Sequence, residues 1–108
     1  MKANEMTDEQ LNRAIAKQLG WVNHDWSSKF TLPDYCNDWK YAGELLEEMS
    51  GCDIRPFLFY CENFKWTCNI SVIESQVRCF EAKVSVRNCE SPTRAISEAY
   101  ATMVGVAE

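Results

Sequence analysis

Residues 54–86 hold three strand-type stretches in succession, separated only by turn-length intervals, and no other feature limits the fold as much. Intervals that short join strands as antiparallel hairpins. Residues 54–61 form a nearly continuous apolar run, the pattern of a central or doubly covered strand. Asn63 lies in the next turn. Trp66, Cys68, Ile70 and Val72 then alternate with Lys65, Thr67, Asn69 and Ser71, so one face is buried. Glu74, Ser75 and Gln76 turn the chain. In the third stretch Val77, Cys79, Glu81, Lys83 and Ser85 share one face. Arg78, Phe80, Ala82, Val84 and Val86 share the other, and this second set is the apolar one.

Helix signals flank the strands. Thr7 and Gln10 are spaced as a capping box, and Met6 and Leu11 stand as a hydrophobic staple. Leu11, Ala14, Ile15, Gln18 and Leu19 make a helical stripe that Gly20 ends, which places a helix over about residues 8–19. Trp26, Ser28 and Phe30 alternate, as in a short edge strand or extended arm. Pro33 holds Leu32 extended. Asp34 or Asn37 then caps a second helix running to Met49. Its apolar positions are Trp39, Ala42, Leu45, Leu46 and Met49; Glu44, Glu47 and Glu48 make its solvent face acidic. Ser91 and Pro92 open a last helix with an apolar stripe of Ala95, Ile96, Ala99, Tyr100 and Met103. The expected fold is α+β, one domain over residues 1–108. A small antiparallel sheet of three to four strands packs with three helices in the order α-(β)-α-β-β-β-α. Ile15, Leu19, Leu46, Phe57, Ile70, Val84 and Ile96 are the expected core.

A chain of 108 residues buries about 65 % of its unfolded surface, enough for a core without staples. The net charge of −5 argues against direct nucleic-acid binding and toward a partner protein with a basic surface. No apolar run reaches membrane-spanning length, and no signal-peptide core follows Met1, so a soluble, cytoplasmic protein is expected. The six cysteines then read as free, mostly buried thiols. Zinc sites use ligand pairs two to four residues apart. Here the smallest cysteine gap is seven, Cys61 to Cys68, and His24 is the only histidine, so neither a metal nor a cofactor is expected.

Several constellations carry two readings. His24 and Asp25 beside Trp21 and Trp26 form either an acid/base pair or an ordinary exposed loop; the loop is the plainer reading. Asp34 and Asp38 could share a metal, but capping and dipole compensation explain their place. Glu44, Glu47, Glu48 and Asp53 make an acidic patch that is either a solvated helix face or a docking surface for an Arg/Lys-rich partner. Trp39 and Trp66 read as core. Trp21, Trp26 and Tyr35 stay open as exposed anchors. No phosphate loop, nucleophile elbow or zincin motif occurs, so an enzyme is not expected.

Three fragments carry a family resemblance: Leu19-Gly20-Trp21, Leu32-Pro33-Asp34-Tyr35-Cys36-Asn37-Asp38 and Ser91-Pro92-Thr93-Arg94-Ala95-Ile96-Ser97-Glu98-Ala99. Together they resemble the phage ABA-sandwich domain, over nearly the whole chain; the strand region departs in being richer in cysteine. The resemblance implies a phage or prophage origin and action inside a bacterial cell, and it supplies no catalytic residues. The leading expectation is an interaction protein that binds and inhibits a host protein, most concretely an anti-CRISPR-like inhibitor. Glu44, Glu47, Glu48, Asp53, Trp21, Trp26 and Tyr35 are its expected contact residues. The alternatives are a protein that sequesters nucleotide signals, with Arg55, Lys65, Arg78 and Arg94 as cations, and a virion or assembly component.

Overall fold

The computed structural model describes residues 2–20, 33–50, 54–73 and 80–107. A short 3-10 turn, Ala3–Glu5, precedes helix α1, Asp8–Gln18. The capping box forms: Thr7 Oγ1 accepts from the Gln10 amide at 3.2 Å, and the Thr7 amide donates to Gln10 Oε1 at 2.9 Å. Gly20 follows the helix with φ +86°, a conformation that costs glycine little. Helix α2 is Trp39–Met49. It starts later than Asp34 or Asn37 because residues 35–37 form a turn, with the Asn37 and Asp38 amides both donating to the Asp34 carbonyl. Asp38 is the cap, accepting from the Lys40 amide at 3.0 Å. Helix α3, Pro92–Met103, is capped by Ser91, whose Oγ accepts from the Arg94 amide at 3.2 Å.

Between α2 and α3 lie β1, Ile54–Cys61, β2, Lys65–Ile73, and β3, Phe80–Cys89, in one antiparallel sheet of order β1-β2-β3. The α+β class and the element order follow the sequence expectation. The place of β1 does not: among the described residues it stands at the edge of the sheet, and β2 is central. Within the apolar run of β1, Phe57 and Phe59 are 44 % and 43 % exposed, so they are not sealed in the core. In β3 the register shifts between Ile70 and Ser71, so Val84 opposes Ile70 while Ala82 opposes Ser71. The extra residue breaks the single alternation expected through residues 77–86. The expected strand or arm at Trp26, Ser28 and Phe30 lies outside the described residues.

All three helices join the core on the sheet face that carries Cys68 and Ile70. Helix α3 is the hub, in contact with every strand, with α1, with α2 and with the N-terminal turn. Eight of its 12 residues are buried. Small side chains at Ala95, Ala99, Ala101 and Ser97 let neighbours approach it from several sides. Ile15, Ile70 and Ile96 are buried as expected; Leu19, Leu46 and Val84 are half-buried. Phe57 is a correction, because its register position points away from the helices. Trp39 is another, at 55 % exposure. The buried stripe of α2 is Ala42, Leu45 and Met49, and Trp39 sits about a quarter turn off it. Trp66 is half-buried against the core. Among the described residues no helix is long and apolar enough to cross a membrane.

Candidate functional site

Among the described residues, Arg94, near the start of α3, gathers two acidic partners. Its side chain is 14 % exposed, and all five N–H groups are used. Nε donates to Glu98 at 2.8 Å, and Nη1 to Asp8 at 2.6 Å and the Cys36 sulfur at 3.8 Å. Nη2 donates to the Ala3 and Met6 carbonyls at 2.9 and 2.6 Å. Burial opposes the charge, but the bonds to Glu98 and Asp8 outweigh it and hold the guanidinium pKa above its ordinary value. Arg94 is thus a structural clamp, joining α3 to α1 and the N-terminal turn. It has no donor left for a ligand, which removes it from the cation set of a nucleotide-binding site.

A cleft of about 690 Å³ opens beside this clamp, bordered by Asp8, Arg87, Asn88, Cys89, Arg94 and Glu98. Its thiol is not a ready nucleophile. Burial first, then the Glu98 charge and the 3.3 Å bond that Cys89 donates to Glu98, push the Cys89 pKa far up. Burial likewise pushes Cys36 up to about 12, against the pull of Arg94, and Cys68 up to about 11. Cys36, Cys61, Cys68 and Cys89 are free thiols, and only Cys61 is not fully buried. Among the described residues no group of three His, Cys, Asp or Glu side chains is placed to hold a metal ion.

The acidic patch has a definite form. Glu44, Glu47 and Glu48 are exposed on α2, with Lys40 between them and the helix start. Trp39 stands at that start, and Gly43, one turn on, leaves open space beside it: a Cβ there would meet nothing within 4 Å. The exposed part of α2 therefore carries an indole at its start and three carboxylates further along. Tyr35 does not join it. Its ring is fully buried, edge-on to Tyr41 with centroids 5.7 Å apart, so it belongs to the core rather than to a contact surface. Asp34 is engaged with Asn12 and Asn37 and holds the turn before α2. Trp21, Trp26, His24, Asp25, Asp53 and Arg78 lie outside the described residues.

A second group of exposed aromatic rings was not foreseen. The sheet face opposite Cys68 and Ile70 carries exposed Phe57, Phe59 and Ser85 and half-buried Asn69, but Thr67 and Ser71 on the same face are buried, at 1 % and 5 %; Phe64, in the β1–β2 turn, is 42 % exposed. The Arg87 guanidinium lies 4.9 Å from the centre of the Phe64 ring. Ser85 Oγ donates to Asn69 Oδ1 at 2.7 Å. One signal for this face was present. Thr67 and Asn69, which oppose Phe59 and Phe57, belong to the polar set of the β2 alternation.

Comparisons with family models, with curated proteins and with solved structures find no match to this chain. A functional reading therefore stands on these surfaces themselves.

Proposed function

We propose that this protein is a phage-derived interaction protein that binds and blocks a bacterial host protein through the outer face of α2. One observation carries the reading: Trp39, 55 % exposed, stands on the same helix as the solvent-facing Glu44, Glu47 and Glu48. An exposed aromatic ring on a helix that also exposes charged groups has the components of an interface anchor and a polar rim. The carboxylates, with a net charge of −5, favour a basic partner surface and speed its encounter. The resemblance of the capping fragments to the phage ABA-sandwich family supports the bacterial setting. The most concrete partner is a nucleic-acid-binding channel of an antiviral complex such as a CRISPR effector, whose walls are basic because they hold phosphates.

The test measures binding to candidate effector complexes at two ionic strengths. Trp39→Ala should weaken binding by roughly 30-fold, the loss of one good anchor. Reversal of Glu44, Glu47 and Glu48 to Lys should slow association and flatten its salt dependence, while leaving the melt within about 0.5 kcal/mol per site. Unchanged affinity in both variants would remove α2 from the interface.

A further inference from the structure

We propose that α2 takes an arginine side chain of its partner, the guanidinium seated over Gly43 between Trp39 and Glu47; this rests on the reading of α2 as the docking face. Trp39, Gly43 and Glu47 are spaced four residues apart, so they form one row along the helix. Each step is about 6 Å along the axis. The middle of the row is open, since a Cβ on Gly43 would meet nothing within 4 Å. The row is therefore a gap with an aromatic residue at one end and an acidic residue at the other, both exposed.

The fold gives no reason for these residues in this row. Gly43 lies inside a helix, where glycine is less stable than alanine. Its φ is not positive, and no neighbour crowds it. Glu47 and Glu48 stand in the last turn of α2, where the helix dipole disfavours negative charge, and that turn holds no basic residue. Glu44 repels both, at three- and four-residue spacing. Among the described residues none of the three glutamates pairs with a cation. Lys40, the one basic residue of α2, has its ammonium 5.5 Å from the centre of the Tyr41 ring. An exposed indole, an interior glycine and unpaired carboxylates each weaken the helix, and such departures from local preference gather where a surface binds.

Arginine fits the row better than lysine. A guanidinium is planar and weakly hydrated, so it stacks on an indole while it bonds to a carboxylate. An ammonium is compact and strongly hydrated, and it has no plane to stack. A second copy of this chain, with its own charge of −5, and an anionic lipid surface are both repelled by the same carboxylates.

The experiment compares labelled oligo-arginine and oligo-lysine peptides of equal length by fluorescence anisotropy with the full chain at low salt. Oligo-arginine should bind roughly 2- to 30-fold more tightly. Trp39→Ala and Gly43→Gln, which fills the gap, should each bring the two affinities together. Gly43→Gln should also raise the melting temperature, by about 2–5 °C, so its effect on binding cannot come from unfolding. Equal binding of the two peptides to wild type overturns the inference, as does an arginine preference that survives in both variants. A lower melting temperature for Gly43→Gln overturns it too, because the glycine would then serve the fold. Reversal of Glu44, Glu47 and Glu48 to Lys separates this inference from the reading beneath it. If the peptides bind alike and the reversal abolishes both, α2 remains a docking face and only the arginine seat falls. If the reversal leaves both affinities unchanged, the docking face falls with it. Binding of neither peptide overturns the arginine seat and leaves the docking face to its test with effector complexes.

Discussion

At the scale of single residues, burial separates side chains that look alike in the sequence. Cys61 and Cys68 are both strand cysteines, yet only Cys68 is sealed in the core. The pKa of its thiol is about 11 in the fold against 9.0 for a free thiol, because burial penalises the thiolate. The stabilising effect is fully present below pH 9.0, where folded and unfolded chains both keep the proton. Above that, the unfolded chain ionises first and stability falls until the pH passes about 11. Denaturation from pH 8 to 11 should therefore show wild type losing about 1.4 kcal/mol per pH unit more than Cys68→Ala over the upper part of that range. Parallel curves for the two proteins would mean that the thiol is not sealed. Tyr35 and Trp39 make the same contrast among aromatics: four residues apart, one is fully buried and the other is more than half exposed.

At the scale of elements, α3 and α2 differ in how deeply they sit. Ile96 is fully buried in α3, whereas Leu46 lies half-buried on the flank of α2. Ile96→Ala should cost about 2–5 kcal/mol in urea unfolding, and Leu46→Ala visibly less. Equal losses would place Leu46 in the core after all. The helices were legible because their signals are local: Thr7 with Gln10, Asp38 and Ser91 act within three residues of themselves. β1 and β2 were legible in extent for the same reason, whereas β3 runs on to Cys89, three residues past the expected stretch. The sides of the elements were legible only in part. Every residue of 56–61 is apolar, so β1 shows no alternation that separates its covered face from its open one, and Phe57 was misplaced. Trp39 was misplaced because hydrophobicity reports what a side chain prefers, not whether a neighbour is there to cover it. The acidic trio was legible, since three glutamates within five residues of a helix have no other face to occupy.

At the scale of the whole molecule, Arg94 ties the two ends of the chain together. Its partners Asp8 and Ala3 lie 86 and 91 residues away, a relation that no local spacing encodes. Arg94→Met should cost about 3–5 kcal/mol, since it leaves the Glu98 carboxylate, 6 % exposed, without its counter-charge. Deleting residues 1–6 removes two acceptors of the same guanidinium and should also destabilise. Because both changes break one network, their combined effect should fall short of the sum by about 1 kcal/mol or more in a double-mutant cycle. Simple additivity would show that the N-terminal turn and Arg94 act apart. The central position of α3 also has a consequence in time. A ribosome releases α1, α2 and the sheet before it releases the helix on which they all pack. At about 5–20 residues per second, α1 then waits roughly 4–17 s for its partner, with its apolar stripe open to chaperones and proteases. The nascent chain gains its protection late and all at once, when residues 92–103 arrive.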